Sequence, residues 1–338
     1  MIRRRRGKPA GPPRIAGGVD DPLALGSLLL NHLDALTILG RSAKTVRSRR
    51  FNMNLFIDFC GERDIQQARD VSRVVVERYQ RHVFLHKTRE GAPLSFRSQC
   101  ELLLAVKAFF RWAIEEQRML VDPAAWMRLP RREKRLPGAV LTHEEAEAVL
   151  NVPDVTTSKG IRDRAILEVF YSTAIRRNEL LHLAVDGIDH ARGTLFVRNG
   201  KGRKDRVVPI GERALAWVKK YLDEVRGLLV VDDNEKTLFV SLDGGPLSSN
   251  RLSDLVKGCI DASAIGKKGS CHLLRHTAAT LMLEGGANIR FIQALLGHEL
   301  LLTTEIFTRV AIKKLQEVHA ATHPSAKLAH VAAVDDET

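Results

Sequence analysis

Apolar and polar positions alternate with two different rhythms along the chain. From Pro22 to about Gln117 the apolar residues recur at helical spacing. Around VRSRRFNMNLFIDFC, Val46, Leu55, Phe56 and Phe59 form an apolar side and leave Lys44, Arg47, Arg49 and Arg50 to other faces. Ser42 stands where a side chain can cap that helix. In SFRSQCELLLAVKAFFRWAIEEQ the stripe is Leu102, Val106, Phe109, Phe110 and Ala113, while Arg97, Lys107 and Arg111 stay polar. Weaker helical periodicity over 22–38 and 70–87 completes a small all-helical domain.

Three prolines and clustered charge interrupt the pattern over 120–139, which reads as a linker between domains. Beyond it, Thr142 and Glu145 have the spacing of a capping box. Helical periodicity follows over about 142–151 and 160–172. Thr194–Arg198 and Asp205–Ile210 are rich in β-formers and flank NGKGRK, a hairpin signal built on Asn199-Gly200. Helical spacing then returns from about 212 to roughly 320. The expected organisation is a basic, disordered arm over 1–20, a helical domain over 21–119, a linker over 120–139, a second domain over 140–322 and a flexible tail over 323–338. The fold class is mainly α with a small antiparallel sheet.

Composition narrows the partner. A formal net charge of +13 favours a polyanion, nucleic acid before an anionic membrane. No apolar run approaches the roughly 20 residues that span a bilayer, and MIRRRRGKPAGPPR lacks the apolar core of a secretion signal. A cytoplasmic, nucleoid-associated protein is expected, with no membrane partner. Aromatic residues make up only 5%, too few to favour a single-strand stacking platform. Cys60, Cys100, Cys259 and Cys271 form no CxxC pair, so free, mostly buried thiols are expected. Basic helical faces suit a duplex backbone or major groove. The candidate DNA contacts are Lys44, Arg47, Arg50, Arg97, Lys107 and Arg111; a solvated surface explains the same charges equally simply.

The candidate chemistry lies in the second domain. Arg176 lies in STAIRRNELLHL, Lys201 at the hairpin tip, His272, Arg275 and His276 in CHLLRHTAAT, and His298 in ALLGHELLLTTEIFT. Each motif alone is weak: Arg176 can simply pair with Glu179, and His276 reads as a core or supporting residue. Taken together and in this order, they resemble the tyrosine recombinase and phage integrase family. TAIRRNEL is similar to the box of the first catalytic arginine, VRNGKGRKDRVVPI to the β-hairpin with its lysine, and HLLRHTAATLMLEGGANIRFIQALLGH to the H-x-x-R box and the last histidine. The resemblance implies two-domain architecture, a helical SAM-like core-binding domain followed by an α+β catalytic domain, closing as a clamp on duplex DNA.

It also implies roles. Arg176 and Arg275 would clamp the non-bridging oxygens of a phosphodiester, since planar guanidinium groups pair with two oxygens. Lys201 would protonate the leaving 5′ oxygen. His272 would relay the nucleophile's proton, and His298 would hold the phosphate or orient the nucleophile. A tyrosine would attack phosphorus and form a 3′-phosphotyrosine. The scheme needs no cofactor, and no carboxylate cluster marks a metal site. The partner would be a double-stranded recombination site, gripped by a homotetramer on two sites that exchanges strands through a Holliday junction. A second, heteromeric recombinase could serve as a further partner. VAIKKLQEVHAATHPS, residues 310–325, is the candidate segment exchanged between protomers.

One position departs from the pattern. The family's I-Y-T corresponds to IFT here, so Phe307, nine residues after His298, stands where the nucleophilic tyrosine is expected. Tyr79, Tyr171 and Tyr221 lie in no matching segment, and the short side chains of Thr304 and Thr308 would not reach. Phenylalanine fills the slot without a hydroxyl, so the chain is expected to bind DNA and not cut it. The other motif positions are intact, which favours a deliberate replacement over natural loss. Ala174, where the family often has Gly, and Cys271, where it usually has Pro, are lesser departures. The rival readings are a naturally silent DNA-binding relative, acting as repressor or accessory factor, and a type IB topoisomerase.

Overall fold

The amphipathic stripes of the first hundred residues fold as four helices. The computed structural model describes residues 21–88, 90–130, 140–198 and 205–297. In it α1 is Leu25–Ile38, α2 Ala43–Gly61, α3 Arg73–Leu85 and α4 Phe96–Glu115. Ser42 caps α2 by accepting from the Thr45 amide. The buried stripe of α2 is Met53, Phe56, Ile57 and Cys60, joined by Phe59. Leu55, expected inside, is exposed because Met53 and Ile57 take the inward positions. On α4 Leu103 is buried and the expected Leu102 only half-buried. Phe56 meets Tyr79 and Phe110 edge-on at 4.9 and 5.9 Å. Each such ring, fully buried, contributes about 1.5–3 kcal/mol relative to exposure.

Part of the expected linker belongs to this core. Ala124 and Met127 are buried in it. Lys107 fastens the segment, donating to the carbonyls of Met127 at 3.2 Å and Ala125 at 3.4 Å. The chain divides at 134/135 into two units.

The second unit opens with α5, His143–Leu150, whose capping box is present in both halves. α6, Ser158–Thr173, is buried on nearly every side. A helix in that setting is usually apolar all round; α6 instead carries Arg162, Asp163, Arg164 and Glu168 inside. Their pairing makes this tolerable: Arg164 donates to Glu168 at 3.0 Å, and Arg213 donates to the other Glu168 oxygen at 2.9 Å. A short α7, Arg177–Leu181, precedes an antiparallel sheet of β1 Ile188–Asp189, β2 Thr194–Val197 and β3 Arg206–Pro209, in the order β1-β2-β3. The β2–β3 register pairs Leu195 with Val208 and Val197 with Arg206. Leu195, Val197 and Val208 therefore face the core, while Phe196 and Val207 point outward.

α8, Glu212–Tyr221, runs through a π-helical turn at Leu222–Arg226 into α9, Gly227–Leu229. The continuous helical spacing expected beyond 212 breaks here. Residues 230–247 hold Gly244-Gly245-Pro246 and make only bridges, Ala184 with Thr237 and Val240 with Pro246. α10 (Ser249–Ala262), α11 (Cys271–Glu284) and α12 (Ile289–Leu296) complete the described chain. The fold is thus mainly α with one small antiparallel sheet. All four cysteines are free and buried. No helix among the described residues is long and apolar enough to cross a membrane.

Candidate active site

The site grows from the end of α6. Ala174 ends that helix in the left-handed region, φ 49° and ψ 28°, a conformation that glycine adopts more cheaply. The turn delivers Arg176 to the N-cap of α7. There the Arg176 amide donates to Glu179 Oε2 at 2.8 Å and its Nη1 to Oε1 at 2.8 Å. The pairing with Glu179 that sequence spacing allowed is present, and it coexists with a second contact from the same side chain. Arg176 Nη2 donates to the Gly297 carbonyl at 2.8 Å.

α11 contributes the other arginine. Arg275, 6% exposed, donates through Nη1 to the Ala174 carbonyl and through Nη2 to the Leu296 carbonyl at 2.8 Å. Burial and the neighbouring Arg176 charge lower its pKa to about 9. It stays charged at neutral pH, and an arriving anion would relieve its desolvation.

A third arginine lies beside these. Arg206 of β3 donates Nη1 and Nη2 end-on to the two oxygens of Glu179, at 2.9 and 2.8 Å, and Nε to the Leu295 carbonyl at 3.3 Å. Three successive carbonyls at the end of α12 thus accept from three arginines: Leu295 from Arg206, Leu296 from Arg275, Gly297 from Arg176. A helix C-terminus offers such acceptors because its last carbonyls lack helical partners and carry the negative end of the dipole. Gly297 closes the helix in the left-handed region at φ 60°. A Cβ there would lie 3.1 Å from Arg206 Cζ and Nε, so the close approach needs glycine.

Electrostatics follow from this arrangement. Burial would raise the Glu179 carboxyl, but hydrogen bonds from Arg206 and the Arg176 amide, with the Arg206 charge, more than reverse it and bring the pKa to about 2. Among the described residues, three guanidinium charges face one carboxylate. Two positive charges remain over on side chains that are buried or half-buried, where they attract an anion more strongly than in water. His272, in the first turn of α11, is open to solvent. Partial desolvation and the charges of Arg275, Arg177 and Arg176 lower its pKa, so it is neutral at pH 7 and can accept a proton. His276 is half-buried, its ring centroid 6.4 Å from that of His272. No group of three His, Cys, Asp or Glu side chains suited to a metal occurs among the described residues.

The structure therefore brings together Arg176 from one motif and His272 and Arg275 from another. Lys201, His298 and Phe307 lie outside the described residues, as do Thr304, Thr308 and 310–325. Sequence reasoning missed Arg206 and the bridging role of Glu179. A signal for Arg206 existed: in the hairpin it has the same parity as the inward-facing Val208. Tyr79 and Tyr221 are fully buried, and Tyr171 packs half-buried against the core.

In the first unit, Lys44, Arg47, Arg97 and Arg111 are exposed on α2 and α4, and Arg50 is half-buried. Arg97 pairs with Glu101 at 3.3 Å on the surface. Lys107, placed among the DNA contacts, has its ammonium on the carbonyls of Ala125 and Met127, because the segment after α4 folds back over it. Lys44, Ser48 and Arg49 border a shallow hollow of about 440 Å³ between α2 and α4.

Residues 139–314 match the phage integrase family. The chain is 48% identical over 321 residues to tyrosine recombinase XerC 2 of Ralstonia nicotianae, covering 94% of this chain and 91% of that protein. It is 38% identical over 228 residues to tyrosine recombinase XerD of Pseudomonas aeruginosa, covering 68% and 76%. Two solved structures share the fold. XerH recombinase bound to a palindromic difH substrate, a post-cleavage complex, superposes with a TM-score of 0.67 at 19% identity, covering 90% of each chain. Lambda integrase, a tetramer bound to a Holliday junction, gives 0.65 at 22% identity, covering 85% of this chain and 78% of that one.

Proposed function

Because the chain belongs to the phage integrase family of tyrosine recombinases, enzymes that break and rejoin DNA strands, we propose that it grips a double-stranded recombination site and that its second unit holds the scissile phosphate. The observation that carries this reading is the surplus of two positive charges set around the α12 C-terminus by Arg176, Arg206 and Arg275. In this reading Arg176 and Arg275 stabilise the charge that builds on the non-bridging oxygens, and His272 accepts a proton in its neutral form. Lys201 protonates the leaving 5′ oxygen and His298 contacts the phosphate or the nucleophile. The first unit contributes backbone contacts from Lys44, Arg47, Arg50, Arg97 and Arg111. The assembly is a homotetramer on two sites.

Phe307 occupies the nucleophile position. Without a hydroxyl there, cleavage falls on the order of a millionfold, about 8 kcal/mol of barrier, by analogy with loss of the nucleophile in other covalent enzymes. The chain as it stands binds its site and leaves it uncut. The test is Phe307→Tyr. It is expected to form a covalent protein–DNA adduct on nicked duplexes selected from random DNA by binding to this chain; specific binding with no adduct would reject the catalytic reading. A second reading rests on Phe307 itself: a silent relative that occupies recombination sites as a repressor or accessory factor. Specific binding with no adduct from the Tyr variant is what that reading predicts.

A further inference from the structure

Arg206 lies in the hairpin stretch VRNGKGRKDRVVPI without a role assigned to it there, and phosphate chemistry at Arg176, Arg275 and His272 gives it none, yet it joins Glu179 to the end of α12. We infer that Arg206 is a positioning residue for strand cleavage: by holding Glu179 through both Nη groups, it keeps that carboxylate from capturing Arg176 and leaves the Arg176 guanidinium to the phosphate. The inference deepens the recombinase reading and rests on it.

The geometry is one of competition. A carboxylate is well satisfied by a guanidinium that forks onto it through two parallel N–H bonds. Glu179 can receive that fork from either neighbour. Arg206 makes it, with 2.9 and 2.8 Å contacts to the two oxygens. Arg176 is left with a single side-chain contact, Nη1 to Oε1, and turns Nη2 to the Gly297 carbonyl. Of its five donors these two are so engaged, and the rest of its planar face can meet an anion. The Glu179 side chain is only 5% exposed, so water cannot take the place of the fork. If Arg206 is removed, Arg176 already touches Glu179 through Nη1, whereas Arg177 is turned to Ser253, and the carboxylate that has lost its fork draws Arg176 in.

Arg206 is itself held. Its Nε donates to the Leu295 carbonyl, and its guanidinium lies against Gly297, where an added Cβ would come within 3.1 Å of it. β3 and the α12 terminus therefore fix where the fork points. A structural role alone would be served by any side chain that filled this volume. The positioning role depends on charge: Arg206→Gln leaves Glu179 to pair with Arg176 alone and cuts the surplus of positive charge from two to one. Adding Glu179→Gln restores the surplus to two and removes the competitor.

The experiment measures single-turnover adduct formation on nicked duplexes selected by binding to this chain, with Phe307→Tyr as the parent. Arg206→Gln in that parent is expected to slow adduct formation at least about tenfold, and Glu179→Gln added to it to recover most of the loss, a coupling within the range of contacting residues. Arg206→Lys keeps the charge without the fork and is expected to fall several-fold, with thermal melts confirming folded protein. Should Arg206→Gln not fold, Arg206→Lys decides. If Arg206→Lys matches the parent, or if Glu179→Gln deepens the Arg206→Gln defect, the inference is overturned. If the parent itself forms no adduct, the recombinase reading fails and takes the inference with it. An adduct from the parent and an equal one from Arg206→Gln overturn the inference alone.

Discussion

Glu179→Gln should destabilise the second unit at neutral pH and lose that effect in acid. The carboxyl sits between two arginines, and its pKa falls from 4.5 to about 2. A tenfold change in acidity corresponds to about 1.4 kcal/mol, so ionised Glu179 contributes on the order of 3 kcal/mol. The side chain is 5% exposed, so solvent screens little of this. The sign follows from the depressed pKa. The contribution is complete above the unfolded value near 4.5 and drains away as pH falls toward 2. For a unit of this size, about 3 kcal/mol moves the melting temperature by roughly 6–12 °C. Calorimetric melts of the parent and of Glu179→Gln, taken at neutral pH and through the acid window, read the difference directly. The gap should open at neutral pH and close between about 4.5 and 2. Equal melting temperatures at neutral pH, or a gap that stays constant through the window, would refute the assignment of Glu179 as the buried counter-charge.

Two further outcomes are expected. Gly297→Ala places a Cβ against Arg206 at a left-handed position and should cost about 1–2 kcal/mol in urea unfolding; an unchanged midpoint would contradict the close approach. In a Phe307→Tyr background, adduct formation should rise with pH through a midpoint below 6.5, because desolvation and Arg275 lower the His272 pKa; His272→Gln should remove that limb, and its survival would reassign the titrating group.

Much of the fold was legible because it obeys local rules. The Ser42 cap, the Thr142–Glu145 box, the β2–β3 hairpin and the Gly297 terminus each follow from residues a few positions apart. What escaped depends on partners far along the chain. Leu55 reads as core until Met53 and Ile57 take the inward side of α2. Lys107 reads as a free cation until the segment holding Ala125 and Met127 folds over it. The burial of charge on α6 rests on partners outside the helix: Arg213 reaches Glu168 from 45 positions away. At the site, motif order identified Arg176, His272 and Arg275, whereas Arg206 meets Glu179 and the Leu295 carbonyl from 27 and 89 positions away.

The most direct test of the central claim identifies the residue that carries the DNA. Phe307→Tyr would be reacted with a selected nicked duplex, digested and mapped by mass spectrometry beside the unchanged chain. A nucleotide linked through its 3′ phosphate to position 307, with none on the unchanged chain, is the expected result. An adduct on the unchanged chain, or one mapped to Tyr171, Thr304 or Thr308, would contradict the assignment of position 307 as the seat of the nucleophile.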